Sequence, residues 1–298
     1  AVTTPAAKFD KLAASIRQFY SGLFFMWQCP LCRSPIDISA SVIQCSNNHS
    51  YDKAKAGYVN LLPVQFKNSK SPGDDKSMVR ARREFHDLNG YGPLKQRMTD
   101  IVAQYYTDSR KRENASINGK EELAIYDAGC GEGSYLNALV TGLEANGINT
   151  SGSGSDIAKI AVELAAKAYK SQQFVVASSF DLPIESNTQD VVIQVFAPGS
   201  SEEYARVLKA GGLLLTVDPA PMHLFELKSL VYDNPAKHAV EKEQRVGFEQ
   251  TLDETVNYPL HFDNDEQKIA LIKMTPYYWR LPPDRLAVIV EKLNHVTV

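Results

Sequence analysis

A glycine-rich loop, Asp127-Ala-Gly-Cys-Gly-Glu-Gly133, is the feature that most constrains the fold of this 298-residue chain. The loop ends an apolar run at residues 123–128 and precedes a stretch of helical character at residues 134–146. A strand that enters a helix through such a loop is typical of nucleotide-cofactor domains, in which the ligand lies at the carboxyl end of the strand. The glycines follow the pattern G-x-G-x-G, which differs from the G-x-G-x-x-G of dinucleotide enzymes.

Strands and helices alternate from this loop onward. Further strands are predicted at residues 151–156, 174–177, 190–196 and 213–217, and helices at residues 161–168 and 202–208. Alternation at this spacing predicts an α/β fold with a doubly wound parallel sheet. The strand at residues 151–156 is rich in glycine and serine, which is unusual for a buried strand. It ends at Asp156, where an acidic residue accepts hydrogen bonds from ribose hydroxyls in related sheets.

A metal-binding array, C-x2-C-x12-C-x3-H, precedes this domain and consists of Cys29, Cys32, Cys45 and His49. Thiolates and imidazole nitrogens are the ligands of structural zinc, and catalytic zinc keeps one position open for water. Because protein side chains supply all four ligands here, the zinc is predicted to be structural. A module this small depends on its metal to fold. We also expect its core to be separate from the core of the cofactor domain.

Cysteine usage and hydropathy indicate a cellular compartment. Of the four cysteines, three belong to the metal-binding array and Cys130 lies in the glycine loop. This clustering is typical of a metal site in a reducing compartment and differs from a disulfide framework. No apolar run is long enough to span a membrane, and the apolar patch at residues 23–26 is too short for a signal-peptide core. The sequence therefore predicts a cytoplasmic protein without a membrane partner.

Positive charge is concentrated in one segment. The chain has 32 basic and 35 acidic residues, a net charge of −3, which argues against a general polyanion binder. Residues 53–83 nevertheless carry eight basic and two acidic side chains, and phosphate neutralisation needs such clustering. A solvated linker with ordinary surface lysines would show the same pattern. The residues predicted to bind RNA phosphates are Lys67, Lys70, Arg80, Arg82 and Arg83.

Several short motifs are spread from residue 26 nearly to the end of the chain. They are Cys29-Pro-Leu-Cys32, Ala56-Gly-Tyr-Val-Asn-Leu-Leu-Pro-Val-Gln65, Pro72-Gly-Asp74, Ala81-Arg-Arg83, residues 126–133, Val195-Phe-Ala-Pro198, His223-Leu224, Met274-Thr-Pro276 and Trp279-Arg280. Together they resemble the bacterial 23S ribosomal RNA (guanine-N1)-methyltransferases of the RlmA type. Residues 63–74 are closer to the Gram-negative branch of that family than to the macrolide-resistance branch.

The chain also departs from the family pattern in two places. The second strand of the sheet is weaker than the family leads us to expect, because of its glycines and serines. The sequence ends at Val298, where the family runs on through a last strand. Residues 295–298 are therefore expected to begin an incomplete edge strand.

The resemblance implies an activity and a domain organisation. The activity is transfer of a methyl group from S-adenosylmethionine (SAM) to N1 of a guanine in a hairpin of 23S ribosomal RNA. The implied fold is a class I SAM-dependent methyltransferase with a small N-terminal zinc-binding domain. The predicted units are an extension of unclear status at residues 1–25, left out of the fold argument, a zinc-binding RNA-recognition module at 26–66, a basic linker and helix at 67–92, and the methyltransferase domain at 93–298. A homodimer is a further partner that the sequence leaves open.

Candidate site residues follow the predicted strand ends. Phe196 is a candidate to stack on the target guanine, while Asp218 and His223 are candidates to accept its proton or to bind its edge. Each has a structural alternative, namely a core aromatic, a turn cap and a structural histidine. The residues predicted to bind SAM are Asp127, Gly129, Gly131, Gly133, Asp156, Ser178, Ser179, Asp181 and Leu182.

Two other functions are compatible with parts of this sequence. A SAM-dependent methyltransferase for a small molecule, such as a quinone or lipid precursor, would use the zinc module as a lid. The basic segment argues against it, since a small neutral substrate needs no phosphate contacts. A zinc-ribbon RNA-binding protein with an inactive methyltransferase domain is the other alternative, and the intact glycine loop and Asp156 argue against that.

Overall fold

The structure is a computed structural model that describes residues 2–5, 26–66, 73–112, 122–239, 245–282 and 284–298. Its strands are β1 Val2–Pro5, β2 Ile43–Gln44, β3 Ser50–Tyr51, β4 Val59–Asn60, β5 Leu123–Ala128, β6 Thr150–Asp156, β7 Gln173–Val176, β8 Gln189–Val195, β9 Leu208–Val217, β10 Phe248–Leu252, β11 Pro259–His261 and β12 His295–Thr297. Its α-helices are α1 Lys76–Asp87, α2 Gly92–Arg112, α3 Ser134–Ala145, α4 Lys159–Ala168, α5 Ser201–Val207, α6 Phe225–Val231, α7 Asp265–Met274 and α8 Arg285–Lys292.

One large sheet organises the chain, with the strand order β10-β1-β9-β8-β5-β6-β7-β4. The strands from β9 to β4 run parallel, and β1 lies antiparallel between β9 and β10. The predicted α/β fold with a doubly wound parallel sheet is confirmed. β5 has β6 on one side and β8 on the other, so the strand order reverses there. Open α/β sheets bind their ligands at such a reversal, and the glycine loop follows β5.

Close packing explains the glycines of β6. A Cβ atom on Gly154 would lie 2.8 Å from the Cβ of Cys130, and one on Gly152 would lie 2.9 Å from a methyl of Val140. Both distances are shorter than side chains tolerate. The hydroxyl of Tyr126 donates to the buried Ser155 hydroxyl at 2.6 Å. The composition of β6 therefore fits a strand that approaches the glycine loop and α3 closely.

The two ends of the described chain form strands in unexpected places. No fold was predicted for residues 1–25, yet Val2–Pro5 form a strand of the large sheet. Residues 295–298 were expected to begin an edge strand, whereas β12 pairs antiparallel with β11 in a separate two-stranded sheet. Both positions depend on pairing partners distant in sequence, which a local pattern does not identify.

The zinc-binding module shares a hydrophobic core with the large sheet. Cys29 and Ile43 of the module belong to the same buried cluster as Val175, Leu182 and Leu214. β4 extends the module into the sheet beside β7, and the Trp27 indole donates to Gln173 Oε1 at 2.6 Å. The expectation of separate cores is therefore wrong. A module of this size has too few apolar side chains to enclose a core alone, so it buries them against the sheet.

Helices cover the other face of the sheet and hold the region around the glycine loop. α2 packs on α3, and α1 packs on α7 and α4. α1 begins at Asp75, whose carboxylate caps the helix by accepting from Ser77 N at 2.7 Å. In the part of the chain that the structure describes, no helix is both long and apolar enough to cross a bilayer.

Candidate functional site

The four predicted zinc ligands converge. Their ligand atoms all lie within 4.8 Å of one another. The Sγ atoms of Cys32 and Cys45 are 3.7 Å apart, and His49 Nδ1 lies 3.4 Å from the Sγ atoms of Cys29 and Cys45. Tetrahedral zinc with Zn–S bonds of about 2.3 Å separates its sulfurs by roughly 3.7–3.8 Å. The geometry thus fits a closed Cys3His zinc site.

Neighbouring hydroxyls act on two of the thiol groups. The Cys32 thiol contacts the Ser34 hydroxyl at 3.4 Å, and this hydrogen bond is the main cause that lowers the pKa of Cys32 to about 5. The Tyr51 hydroxyl lies 2.9 Å from Cys29 Sγ. Burial raises the pKa of the Cys29 thiol, and the hydrogen bond from Tyr51 opposes that effect. Hydrogen bonds of this kind favour thiolates, the form that binds zinc.

Arg33, which follows the zinc ligand Cys32, connects the zinc module to the loop after β7. Its guanidinium forms an ion pair with Asp181 and donates to the Leu182 carbonyl at 2.9 Å. The Leu182 amide donates to Glu203 Oε2 at 2.7 Å. Asp181 and Leu182 were predicted to bind SAM, whereas their polar groups contact the zinc module and α5 here. The sequence pattern had placed them after the correct strand without showing which way they face.

The glycine loop has the backbone that a cofactor loop requires. Gly129, Gly131 and Gly133 have φ angles of 84°, 54° and 86°, in the left-handed region that favours glycine. A Cβ on Gly129 would lie 2.5 Å from the Ala197 Cβ. A Cβ on Gly131 would have Arg82 Nη1 at 3.7 Å and, apart from its chain neighbours, no other described atom within 4 Å. Gly131 therefore faces open space beside Arg82.

Three carboxylates lie in or beside this loop, those of Asp127, Glu132 and Asp156. Asp156 accepts from Gly131 N at 2.9 Å and from Ala158 N at 2.7 Å, which fixes the loop to the end of β6. Asp127 is buried, and neither of its carboxylate oxygens has a hydrogen-bond partner among the described residues. Burial, with the charges of Asp156 and Glu132, raises the pKa of Asp127 well above its ordinary value. A buried acceptor without a partner next to an open loop fits a ligand that brings a hydrogen-bond donor.

Of the predicted RNA-binding cations, the three that the structure describes, Arg80, Arg82 and Arg83, do not form one surface. Arg80 is exposed, and Lys67 and Lys70 lie outside the described residues. The Arg83 side chain is only 15% exposed and donates to the Glu132 carbonyl at 2.6 Å and to the Tyr169 hydroxyl at 2.5 Å. Arg83 thus supports the glycine loop, and its prediction as a phosphate ligand is wrong because its donors are already engaged. Arg82 faces the loop as well.

Ser178 and Ser179 follow β7 and have different contacts. Ser178 Oγ accepts from Phe180 N at 3.2 Å and so shapes the turn after β7. Ser179 Oγ lies 3.6 Å from the position of a Gly129 Cβ. Of the predicted residues after β7, Ser179 therefore lies on the side of the glycine loop, and Asp181 and Leu182 contact the zinc module and α5.

A cavity of about 740 Å³ is lined by Phe196, Asp218 and His223. Ala197, which touches the glycine loop, lines it as well. The rings of Phe196 and His223 stack with centroids 5.3 Å apart, and Tyr91 OH lies 3.5 Å from His223 Nε2. Burial, with nearby His238 and Lys228, lowers the pKa of His223 to about 4. His223 is consequently neutral at pH 7 and can accept a hydrogen bond.

Several residues of this region had no predicted role. Glu132 lies inside the glycine motif but was not assigned a role, and Tyr91, Tyr135 and Tyr169 were not considered. Phe196 lies 6.2 Å from Tyr91 and 6.4 Å from Tyr135 between ring centroids. Helical periodicity could have shown that Arg82 and Arg83 face the protein. They follow the buried Met78 and Val79 by four residues and so lie on the same face of α1. The tyrosines come from distant elements and had no such signal.

Comparison with known proteins divides the chain in the same way as its motifs. Residues 27–70 match the family model described as "RlmA, N-terminal", a zinc ribbon, and residues 126–216 match a methyltransferase domain. The first match contains all four zinc ligands, and the second begins immediately before the glycine loop.

Three relatives match nearly the whole chain, each at 31% identity. A Bacillus subtilis (strain 168) protein assigned as a 23S rRNA (guanine-N1)-methyltransferase matches over 92% of this chain and 95% of its own length. The 23S rRNA (guanine(748)-N1)-methyltransferase of Streptomyces fradiae matches over 89% and 90%. A Micromonospora griseorubida protein, also assigned as a 23S rRNA (guanine-N1)-methyltransferase, matches over 91% and 93%. Placement in the Gram-negative branch stays a prediction.

Proposed function

The chain belongs to the RlmA-type 23S ribosomal RNA (guanine-N1)-methyltransferases, and from that premise we propose that it methylates N1 of a guanine in a hairpin loop of 23S ribosomal RNA, with SAM as donor. The observation that supports this most directly is the cavity that is lined by Phe196, Asp218 and His223 and also by Ala197, which packs against Gly129 of the glycine loop. A reaction between two bound partners requires such adjacent sites.

The residues around the loop fit SAM. When bound, SAM supplies a methyl group that its sulfonium makes electrophilic. Asp127 is a buried acceptor suited to the amino group of the cofactor, and Asp156 at the end of β6 is proposed to bind its ribose hydroxyls. Gly129, Gly131 and Gly133 keep the loop free of side chains, so that the backbone can approach the ligand.

The cavity residues are proposed to hold the guanine. N1 lies on the Watson–Crick edge, so the base must be unpaired or flipped out, which costs less in a hairpin loop. Phe196 is 38% exposed and offers a ring face for stacking. In the reaction a bond forms between N1 and the methyl carbon, the bond from sulfur to that carbon breaks, and the N1 proton leaves. Asp218, which is exposed, and neutral His223 are the proposed acceptors or edge contacts.

The zinc module is proposed to help present the RNA while it stabilises the fold. Its ligands are Cys29, Cys32, Cys45 and His49, and zinc bound there has a structural role. The clustered cysteines and a ribosomal RNA substrate support a cytoplasmic location. A homodimer stays a prediction that light scattering on the purified protein would test.

Replacing Arg80 by alanine is expected to weaken RNA binding without changing which guanine is methylated. Arg80 is exposed on α1, and a lost phosphate contact lowers the salt dependence of binding by about one unit in the log–log slope. The measurement is methyl transfer to a ribosomal RNA hairpin, and its binding, over a salt series. Lys209→Ala is the matched control, because Lys209 is exposed and paired with Asp190 at the start of β8. Identical curves for Arg80→Ala and the native protein would contradict this role, and methyl transfer that needs no RNA would support a small-molecule substrate.

A further inference from the structure

Arg82 lies over the glycine loop, although the sequence grouped it with the RNA-binding cations. Its side chain is 27% exposed, and Nη1 lies 3.7 Å from the position that a Cβ on Gly131 would take. The other end of the guanidinium, Nη2, pairs with Asp74 Oδ2 at 2.5 Å. One edge of the cation is thus fixed by the protein, and the other faces the space above the loop.

Asp74 is well placed to hold Arg82. The segment before α1 packs on the start of α4, since a Cβ on Gly73 would lie 2.6 Å from the Cβ of Ala158. Ala158 follows closely on Asp156, which binds the loop amide. Asp156 and Glu132 also act electrostatically on Arg82. The guanidinium is therefore held at the loop by negative charge and does not extend from α1 into solvent.

The neighbouring arginine has a different role. Arg83 uses its donors on the Glu132 carbonyl and the Tyr169 hydroxyl, and it approaches the Glu132 carboxylate at 3.4 Å. Arg83 therefore stabilises the loop, and its donors are used on protein groups. Of these two arginines, Arg82 is the one with an edge turned toward the open side of Gly131.

The direction of a bound cofactor follows from the acidic residue at the end of β6. If Asp156 binds the ribose hydroxyls, the glycine loop faces the group attached to the 5′ carbon, as it faces pyrophosphate in dinucleotide folds. In SAM that group is the amino-acid arm, which ends in a carboxylate. A guanidinium presents parallel N–H donors that match a carboxylate.

We propose that Arg82 binds the carboxylate of the cofactor's amino-acid arm, and that Asp74 positions the guanidinium for this contact. The inference rests on the proposed use of SAM. It replaces the prediction that Arg82 binds an RNA phosphate, and it assigns Arg80 and Arg82, two residues apart on one helix, to different ligands.

The test compares SAM with decarboxylated SAM, which lacks only the carboxylate. A charge-assisted hydrogen bond corresponds to roughly 10- to 100-fold in affinity. In the native protein SAM should bind more tightly than decarboxylated SAM by about that factor, measured by calorimetry. In Arg82→Ala this ratio should fall to near one, because the cation that distinguishes the two ligands is gone. Arg82→Gln, which keeps most of the side-chain volume, should behave in the same way.

Arg80→Ala is the matched control and should keep the native ratio, since its side chain is exposed on the same helix. Melting temperatures of all variants report whether they are folded. Equal ratios in Arg82→Gln and the native protein would overturn the inference alone. Failure of the native protein to bind SAM would overturn the use of this cofactor, and the inference with it.

Discussion

Removal of zinc, or replacement of Cys45 by alanine, is expected to destabilise the methyltransferase sheet together with the zinc module. Cys29 and Cys45 are 0% and 4% exposed and lie in one buried cluster with Val175 and Leu214 of the sheet. Structural zinc contributes on the order of 10 kcal/mol of folding free energy in small zinc domains, and a whole domain is stable by only roughly 5–15 kcal/mol. Loss of the metal should therefore lower the free energy of unfolding by several kcal/mol. Because the zinc module and the sheet share one core, both should be destabilised together.

Thermal unfolding with and without a chelator measures this effect. One transition that shifts downward as a whole is the expected result, and zinc content should fall from one per chain to none. Cys130→Ala is the matched control, because Cys130 is a buried cysteine of the glycine loop outside the metal site. A chelated protein that keeps a separate, unshifted transition and native SAM affinity would show that the two cores are independent after all.

Valine at position 131 is expected to abolish SAM binding while the chain stays folded. The Cβ would point into the open space of the loop, where Arg82 Nη1 at 3.7 Å is the one described atom within 4 Å. A side chain there would occupy the proposed place of the cofactor, so affinity should fall at least about 100-fold. The φ angle of 54° adds strain on the order of 1–2 kcal/mol for a non-glycine residue.

Gly147→Val is the control that distinguishes backbone strain from blocking of the cofactor site. Gly147 has a φ angle of 75°, and apart from its chain neighbours no described heavy atom would lie within 4 Å of a Cβ there. It lies between α3 and the start of β6, at the opposite end of the strands from the glycine loop. Both variants should lose similar stability by thermal unfolding, yet only Gly131→Val should lose SAM binding by calorimetry. Native SAM affinity in Gly131→Val would refute the assignment of the loop as the cofactor site.

Local sequence patterns predicted the parallel strands β5 to β9, the glycine loop and the zinc ligands because each depends on residues close together in the chain. Periodicity identified β5 and α3, and spacing alone brought Cys29 and His49 to one site. Patterns of this kind do not show which distant element a side chain faces. The contact between Arg33 and Asp181 joins two segments far apart in sequence, and no local signal reveals it.

In the basic segment, too, the sequence pattern does not show which surroundings each side chain faces. Charge density groups Arg80, Arg82 and Arg83 together, whereas the helix turns them toward different surroundings. Buried Met78 and Val79 share a face with Arg82 and Arg83, so the period of α1 carried information that a count of charges does not contain. Compensation by Asp74, Glu132 and Asp156 explains how cations remain stable there, since partly buried charges need partners.

Reverse transcription across a methylated RNA tests the central claim most directly. The substrate is a hairpin transcript of 23S ribosomal RNA, incubated with the protein and SAM and then copied by reverse transcriptase. N1-methylguanine blocks Watson–Crick pairing, so the account predicts a stop at a loop guanine that requires both protein and SAM and is absent with Gly131→Val. Full-length copies under all conditions, from a preparation that binds zinc and SAM, would contradict guanine-N1 methylation by this protein.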